Sequence, residues 1–282
     1  MKRLLPLVFL LTFCISPVTR AFAANYEIKK VADSVYAAIA LPAGKVASNA
    51  MIIVASDHVI LAGAHFVPDG ILELIAGIAK ITPHPLRHVI LTHHHRGYNY
   101  IDFDFPTDVD IIASWQTWQA LKSEYREFKN PVTFFDRGLT IQRGKQTIVL
   151  SNTGPGHSDG DVIVYLPDEE VLFTSDLVFN NEVGFMGDGH MWEWVMNLEM
   201  LENIGAITVI PGVGQVTDID GIMRFHIFIK DFLTEVLQHQ ERGASIAQTK
   251  KEFKLPQYQH LPGYKNYIDG NIERAYGELK GR

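Results

Sequence analysis

Thr92-His93-His94-His95-Arg96-Gly97-Tyr98-Asn99 follows directly on 87–91, an apolar run that reads as a buried strand. His93 and His95 are two residues apart, so a turn at the strand end can aim both imidazoles at one point. Neutral imidazole nitrogens bind zinc at ~2.0–2.1 Å. Taken alone, the segment also reads as a polar loop with three solvated histidines.

Two further segments bear on that choice. Thr153-Gly154-Pro155-Gly156-His157-Ser158 also follows a β-type run, in a glycine-rich turn that lets the backbone bring His157 close to another group. Leu172-Phe173-Thr174-Ser175-Asp176 ends a third run on a carboxylate. Three ligand-type side chains at three strand ends are hard to explain as unrelated loops. Two histidines from one loop and a third from a distant turn make a three-nitrogen zinc site with an open fourth position. A catalytic metal needs that position for water.

Outward from these segments, the pattern alternates between strands and helices. β-Type runs are expected at 26–31, 35–40, 50–55 and 58–61, followed by a helix at 69–80 that Pro83 and Pro85 stop. A strand at 110–113 leads into a helix at 114–128 with Ser114 as its cap. The second half repeats this, with strands at 139–142, 146–152, 161–166, 171–174 and 206–210 and helices at 192–204, 219–240 and 265–279. Strands then helix, twice over, fit an α/β sandwich of two packed sheets with helices on both outer faces, though periodicity alone does not choose it over other α/β layouts and the motifs must decide.

The three segments, in this order, resemble the metallo-β-lactamase superfamily over nearly all of 24–282. That resemblance implies the αβ/βα sandwich and a two-metal site. Its first motif is His-x-His-x-Asp-His, followed by a Gly-His turn, a bridging aspartate and a late histidine in a Pro-Gly-His-Gly turn. His93, His95 and His157 stand at the first zinc position. At the second, Gly97 stands for the aspartate, Tyr98 for the histidine, and Val213 for the late histidine in Pro211-Gly212-Val213-Gly214. Only Asp176 is kept there. Leu61-Ala62-Gly63-Ala64 occupies the place of a supporting Asp-Thr-Gly turn. The segments 176–179, Met186-Gly187-Asp188-Gly189 and Asn271-Ile272-Glu273-Arg274 further resemble an exported branch linked to quinoprotein and sulfur-oxidation systems.

The resemblance implies one zinc on His93, His95 and His157, with Asp176 as a further ligand or as the group that orients water. Tyr98 is either a donor to a substrate oxygen or a filler of the space a second metal would take. In an active enzyme, zinc-bound hydroxide would attack an ester, lactone, amide or thioester. The alternative is an inactive member that binds a small ligand or a partner in an exported redox pathway. His65 and His190 are weighed as substitute ligands, with ordinary loop histidines the plainer reading. His94 is read as pointing away from the metal. Asp159 and Asp161 are read as turn formers, Asp188 as a turn residue that rims the site, and Trp115, Trp118, Trp192 and Trp194 as core.

The first 23 residues read as an export signal. Lys2 and Arg3 precede an apolar stretch too short to span a membrane, and Ala21-Phe22-Ala23 fits a cleavage site. The expected product is one exported domain, 24–282, periplasmic or secreted and without a membrane span. Loss of Lys2, Arg3 and Arg20 with the signal takes the net charge from −7 to about −10. Such a surface repels nucleic acid and anionic membranes, and neither is expected as a partner. The sole cysteine, Cys14, leaves too, so the product has neither a disulfide nor a thiolate ligand.

Overall fold

The computed structural model describes residues 24–98, 101, 104–123 and 129–280. The expected signal at 1–23, with Cys14, lies outside them, as do Asn99 of the first motif and the last turns (124–128) of the helix expected after Ser114.

Seven strands form the first sheet in sequence order: β1 (Tyr26–Ala32), β2 (Val35–Ala40), β3 (Ala50–Val54), β4 (Val59–Gly63), β5 (Leu86–Leu91), β6 (Asp110–Ser114) and β7 (Val132–Phe135). The first four pair antiparallel, and β4 to β7 run parallel. The second sheet has the order β12-β11-β10-β9-β8, from β8 (Gly138–Arg143), β9 (Gln146–Gly154), β10 (Asp161–Leu166), β11 (Val171–Phe179) and β12 (Thr208–Val213). Its only parallel pair is β11 with β12.

The central strands β3, β4, β10 and β11 are apolar on both faces because each sheet is covered on both faces there. Met51, Ile53, Ile60, Ala62, Ile90 and Ile112 of the first sheet meet Ile148, Leu150, Val162, Val164 and Phe173 of the second in a shared core. The alternating residues Ala50, Ile52, Val59 and Leu61 point the other way. They pack on Ile71, Leu74 and Ile78 of α1 (Pro68–Ile81). Behind the second sheet lie α3 (Met191–Leu201), α4 (Ile219–Glu241) and α6 (Tyr264–Leu279), packed through Trp194, Phe225, Phe232 and Ile272. The fold is thus the expected sandwich of two sheets between helical layers.

Most element boundaries hold to within two residues, but β11 runs to Phe179 instead of 174, β12 lies at Thr208–Val213 instead of 206–210, and α3 ends at Leu201 instead of 204. Ser114 caps α2 (Trp115–Lys122), accepting from the Thr117 amide. The sequence reading leaves out β7 and α5 (Ile246–Glu252). β7 is a short strand with two exposed residues and no clean alternation, and α5 has a single buried residue and so no stripe to reveal it. The tryptophans divide: Trp194 is fully buried, whereas Trp115 and Trp192 are exposed at 42% and 54%. They lie on the outward faces of α2 and α3, which corrects their expected place in the core.

Phe173 is fully buried between the sheets, so Phe173→Ala removes a large side chain from a core enclosed on every side. We expect a loss of about 3–5 kcal/mol in unfolding free energy, measured by urea denaturation.

Candidate metal centre

Four chain segments deliver the site at one edge of the two sheets. Thr92 to His95 follow β5, and Thr92 ties the sheets together there. Its amide donates to Gly63 O (3.0 Å) in its own sheet, and its carbonyl accepts from Val162 N (2.8 Å) in the other. His157 comes from the turn after β9. Asp161 holds that turn, accepting from Ser158 N (3.1 Å) and Ser158 Oγ (2.7 Å). Burial pushes the Asp161 carboxyl up to about 6, against those hydrogen bonds.

Asp176 lies inside β11, whereas the sequence reading ends that strand at Thr174. The ladder with β12 slips on either side of Ser175, which has φ +49°. Such irregularities re-aim side chains, and here the next side chain, Asp176, faces the histidines. β12 approaches closely through Gly212, where a Cβ would stand 2.2 Å from Asp176 Oδ1.

The imidazoles converge. His95 Nε2 and His157 Nε2 are 2.8 Å apart. Asp176 Oδ2 lies 3.7 Å from both His93 Nε2 and His157 Nε2. His93, His95 and His157 are all buried, and their donor atoms lie within 4.8 Å of one another. Asp176 Oδ1 accepts from Ser48 Oγ at 2.6 Å, which directs Oδ2 at the histidines. Burial alone would raise the Asp176 pKa, but the imidazoles of His65 and His93 and the Ser48 hydroxyl bring it down to about 2. Burial holds His93 well below the ordinary imidazole range, against the pull of Asp176, and lowers His157 likewise. Both rings are therefore neutral at neutral pH, with lone pairs available to a cation.

These residues fit a metal. His93 Nε2 is buried and, among the described residues, has no hydrogen-bond partner, an arrangement that costs ~1–3 kcal/mol if nothing satisfies it. His95 Nδ1 stands 3.0 Å from Asp188 Oδ2. The carboxylate requires the proton on Nδ1, which leaves Nε2 as a lone pair facing His157.

Asp188 is thus more than a rim residue, and its loop is held from α6. Asn271 accepts from Met186 N (2.8 Å) and donates to Gly184 O (3.0 Å), while Arg274 Nε donates to Gly189 O (2.6 Å). Glu278 accepts from Met191 N at 2.9 Å. The Met186–Gly189 and Asn271–Arg274 segments singled out in the sequence are therefore two halves of one clamp. Trp194 supports the far side, with its ring 5.2 Å from that of His157 and Nε1 donating to Leu177 O.

The remaining candidates separate. His65 joins the site, its Nε2 3.6 Å from Asp176 Oδ2, and forms a second possible metal group with His93 and Asp176. His190 does not: it pairs with Asp159 at 3.0 Å. With His94, Arg96 and Arg274 it lines a neighbouring cleft on the other side of His95. Tyr98 stands on the wall of a cleft of about 440 Å³ that opens onto the site, beside Phe179, Phe185, Val213 and Tyr267. Sequence reasoning passes over Ser48, because a lone serine before a strand carries no signal of what it will face.

A family model described as the metallo-beta-lactamase superfamily matches residues 102–213. That span includes His157 and Asp176 and begins after His93 and His95. Among curated proteins, the chain is 26% identical over 132 residues to the 2,4-dinitroanisole O-demethylase subunit alpha of Nocardioides sp. (strain JS1661), covering 45% of this chain and 40% of that protein. It is 24% identical over 178 residues to a metallo-beta-lactamase type 2 of Bacillus cereus, covering 61% and 69%. Of solved structures, a metallo-beta-lactamase from Pontibacter korlensis superposes with a TM-score of 0.64 at 20% identity, over 73% of this chain and 99% of that one. That likeness is one of fold: the chain has the metallo-β-lactamase fold.

Asp188→Asn keeps the size of the side chain but weakens its hold on His95 Nδ1. We expect metal affinity to fall about 10–100-fold, with an unchanged far-UV circular dichroism spectrum; chelator-competition titration checks it.

Proposed function

We propose that this chain is an exported, periplasmic hydrolase of the metallo-β-lactamase fold that works with one zinc ion held by His93, His95 and His157. The observation that carries the reading is the convergence of these three buried rings on one point faced by Asp176 Oδ2. Zinc held there supplies Lewis acidity and makes water a nucleophile at neutral pH.

The chain's own residues then have distinct tasks. Asp176 is an ionised acceptor beside the histidines, suited to orient a water molecule for attack. Asp188 fixes the His95 tautomer through its contact at Nδ1. The wall formed by Phe179, Phe185, Val213 and Tyr267 gives an apolar bed for a small substrate, and Tyr98, on the same wall, would donate its phenol to a substrate oxygen. Carbonyl compounds fit this arrangement: esters, lactones, amides or thioesters. Among the described residues no helix is long and apolar enough to cross a membrane.

The second metal position of the family is degenerate in this reading. Gly97, Tyr98 and Val213 stand where the resemblance expects an aspartate and two histidines, and of these only the tyrosine carries a polar side chain. Such a site trades rate for a single-ion mechanism. The segments clamped by α6 are those that resemble the quinoprotein-linked exported branch, and we place the chain there.

Elemental analysis of protein purified without chelators tests the metal reading. We expect about one zinc per chain, lost in His157→Ala, together with hydrolysis in a screen of carbonyl substrates. Metal without turnover would instead favour the inactive, ligand-binding alternative, and no metal even after zinc addition would end the reading. Gly97→Asp, Tyr98→His and Val213→His together should raise the metal content towards two. Gly97 has φ +83° and open space around a built Cβ, so the new carboxylate meets backbone strain but no clash.

A further inference from the structure

We infer that His65 is itself a ligand of the metal, sharing one ion with the three histidines and Asp176. This rests on the three-histidine reading above. Nothing in the sequence motifs assigns the role, since His65 lies just past the Leu61–Ala64 stretch that stands in place of the family's supporting turn.

Distances carry the inference. His65 Nε2 is 3.6 Å from Asp176 Oδ2, longer than the ~2.7–3.2 Å of a good N–H···O hydrogen bond. Two donors each ~2.0–2.2 Å from one zinc can stand at most about 4.4 Å apart. The spacing therefore suits a shared ion better than a direct bond. The same oxygen is 3.7 Å from His93 Nε2 and from His157 Nε2, so Asp176 Oδ2 faces three imidazole nitrogens at nearly equal range. Its other oxygen is engaged by Ser48.

The two possible metal groups overlap in His93. A neutral imidazole has one lone pair, so two ions cannot both draw on His93 in the same way. We take the two groups as parts of one donor set that meets at His93, with Asp176 Oδ2 facing both. His65 is also well placed to hold that position: its side chain is 7% exposed. The backbone just before it is anchored by Thr92 N donating to Gly63 O. The consequence is that in the resting site His65 and Asp176 together take the place that a three-histidine site leaves open to water. The resting site then binds metal more tightly and admits water less freely than three histidines alone.

The test uses the mature protein stripped of metal and titrated with Co²⁺ and then Zn²⁺. It follows stoichiometry, affinity by chelator competition, and the visible Co²⁺ spectrum. Wild type should bind one equivalent. His65→Ala should still bind one, at least about 10-fold more weakly, since even residues behind the ligands are worth 10–100-fold, and with an altered Co²⁺ spectrum. His65→Gln, closer in size and polarity, should show the same changes, and it decides the matter if the alanine variant does not fold. Equal melting temperatures of the stripped proteins separate lost ligation from lost packing. If His65→Gln matches wild type in affinity and spectrum while His157→Ala abolishes binding, the inference fails and the three-histidine reading stands. If wild type binds no metal, both fail. A second equivalent in wild type that vanishes in the His65 variants would overturn the single-ion form.

Discussion

The seam at Thr92 is the constraint on which the site depends. One residue bonds to Gly63 in its own sheet, to Val162 in the other, and through its hydroxyl to Ser175 at 2.8 Å. It fixes the start of the histidine run relative to β10 and β11 at once. His93 and His95 can therefore meet His157 and Asp176, which arrive on the second sheet, without any one loop spanning the distance. Asn49 does the same on the other side of the cleft, its amide donating to Pro211 O and Gly214 O next to Gly212. The sheets act as rigid arms, and the ligand-type residues ride on their ends.

Burial gives those residues their chemistry. A buried imidazole resists protonation, so His93 and His157 stay neutral and their nitrogens remain donors to a cation. The same burial leaves His93 Nε2 without a partner among the described residues. A site that collects neutral nitrogens, an ionised carboxylate and an unsatisfied ring atom is poorly stable alone and well arranged for a metal ion. The α6 clamp adds a second layer, setting Asp188 against His95 so that the proton lies away from the metal-facing nitrogen.

Much of the fold was legible because its strands are short, apolar and separated by clear turn residues. The helices at α1, α4 and α6 declared themselves through their stripes. β7 and α5 were not legible, since neither buries enough to leave a pattern. At the site, the His93-x-His95 spacing and the glycine-rich turn before His157 marked the segments that the structure brings together. Asp176 was legible as a carboxylate after a β-run, but not the irregularity at Ser175 that turns it inward. His65 was weighed from sequence only as one of two possible substitute ligands, and Ser48 not at all. Their importance lies in distances across 111 and 128 positions of chain, from His65 and Ser48 to Asp176, which no local pattern encodes. Asp188 was visible only as part of a Gly-Asp-Gly turn, and its partner His95 lies on a different loop.

If several imidazoles from different strand ends share one ion as proposed, zinc K-edge X-ray absorption on the zinc-loaded protein reads it out. The expected spectrum has nitrogen and oxygen donors at ~2.0–2.2 Å, outer-shell scattering from at least three imidazoles, and no metal–metal vector. A metal–metal distance of ~3.5–4 Å, or too few imidazoles to account for His93, His95 and His157, would contradict it.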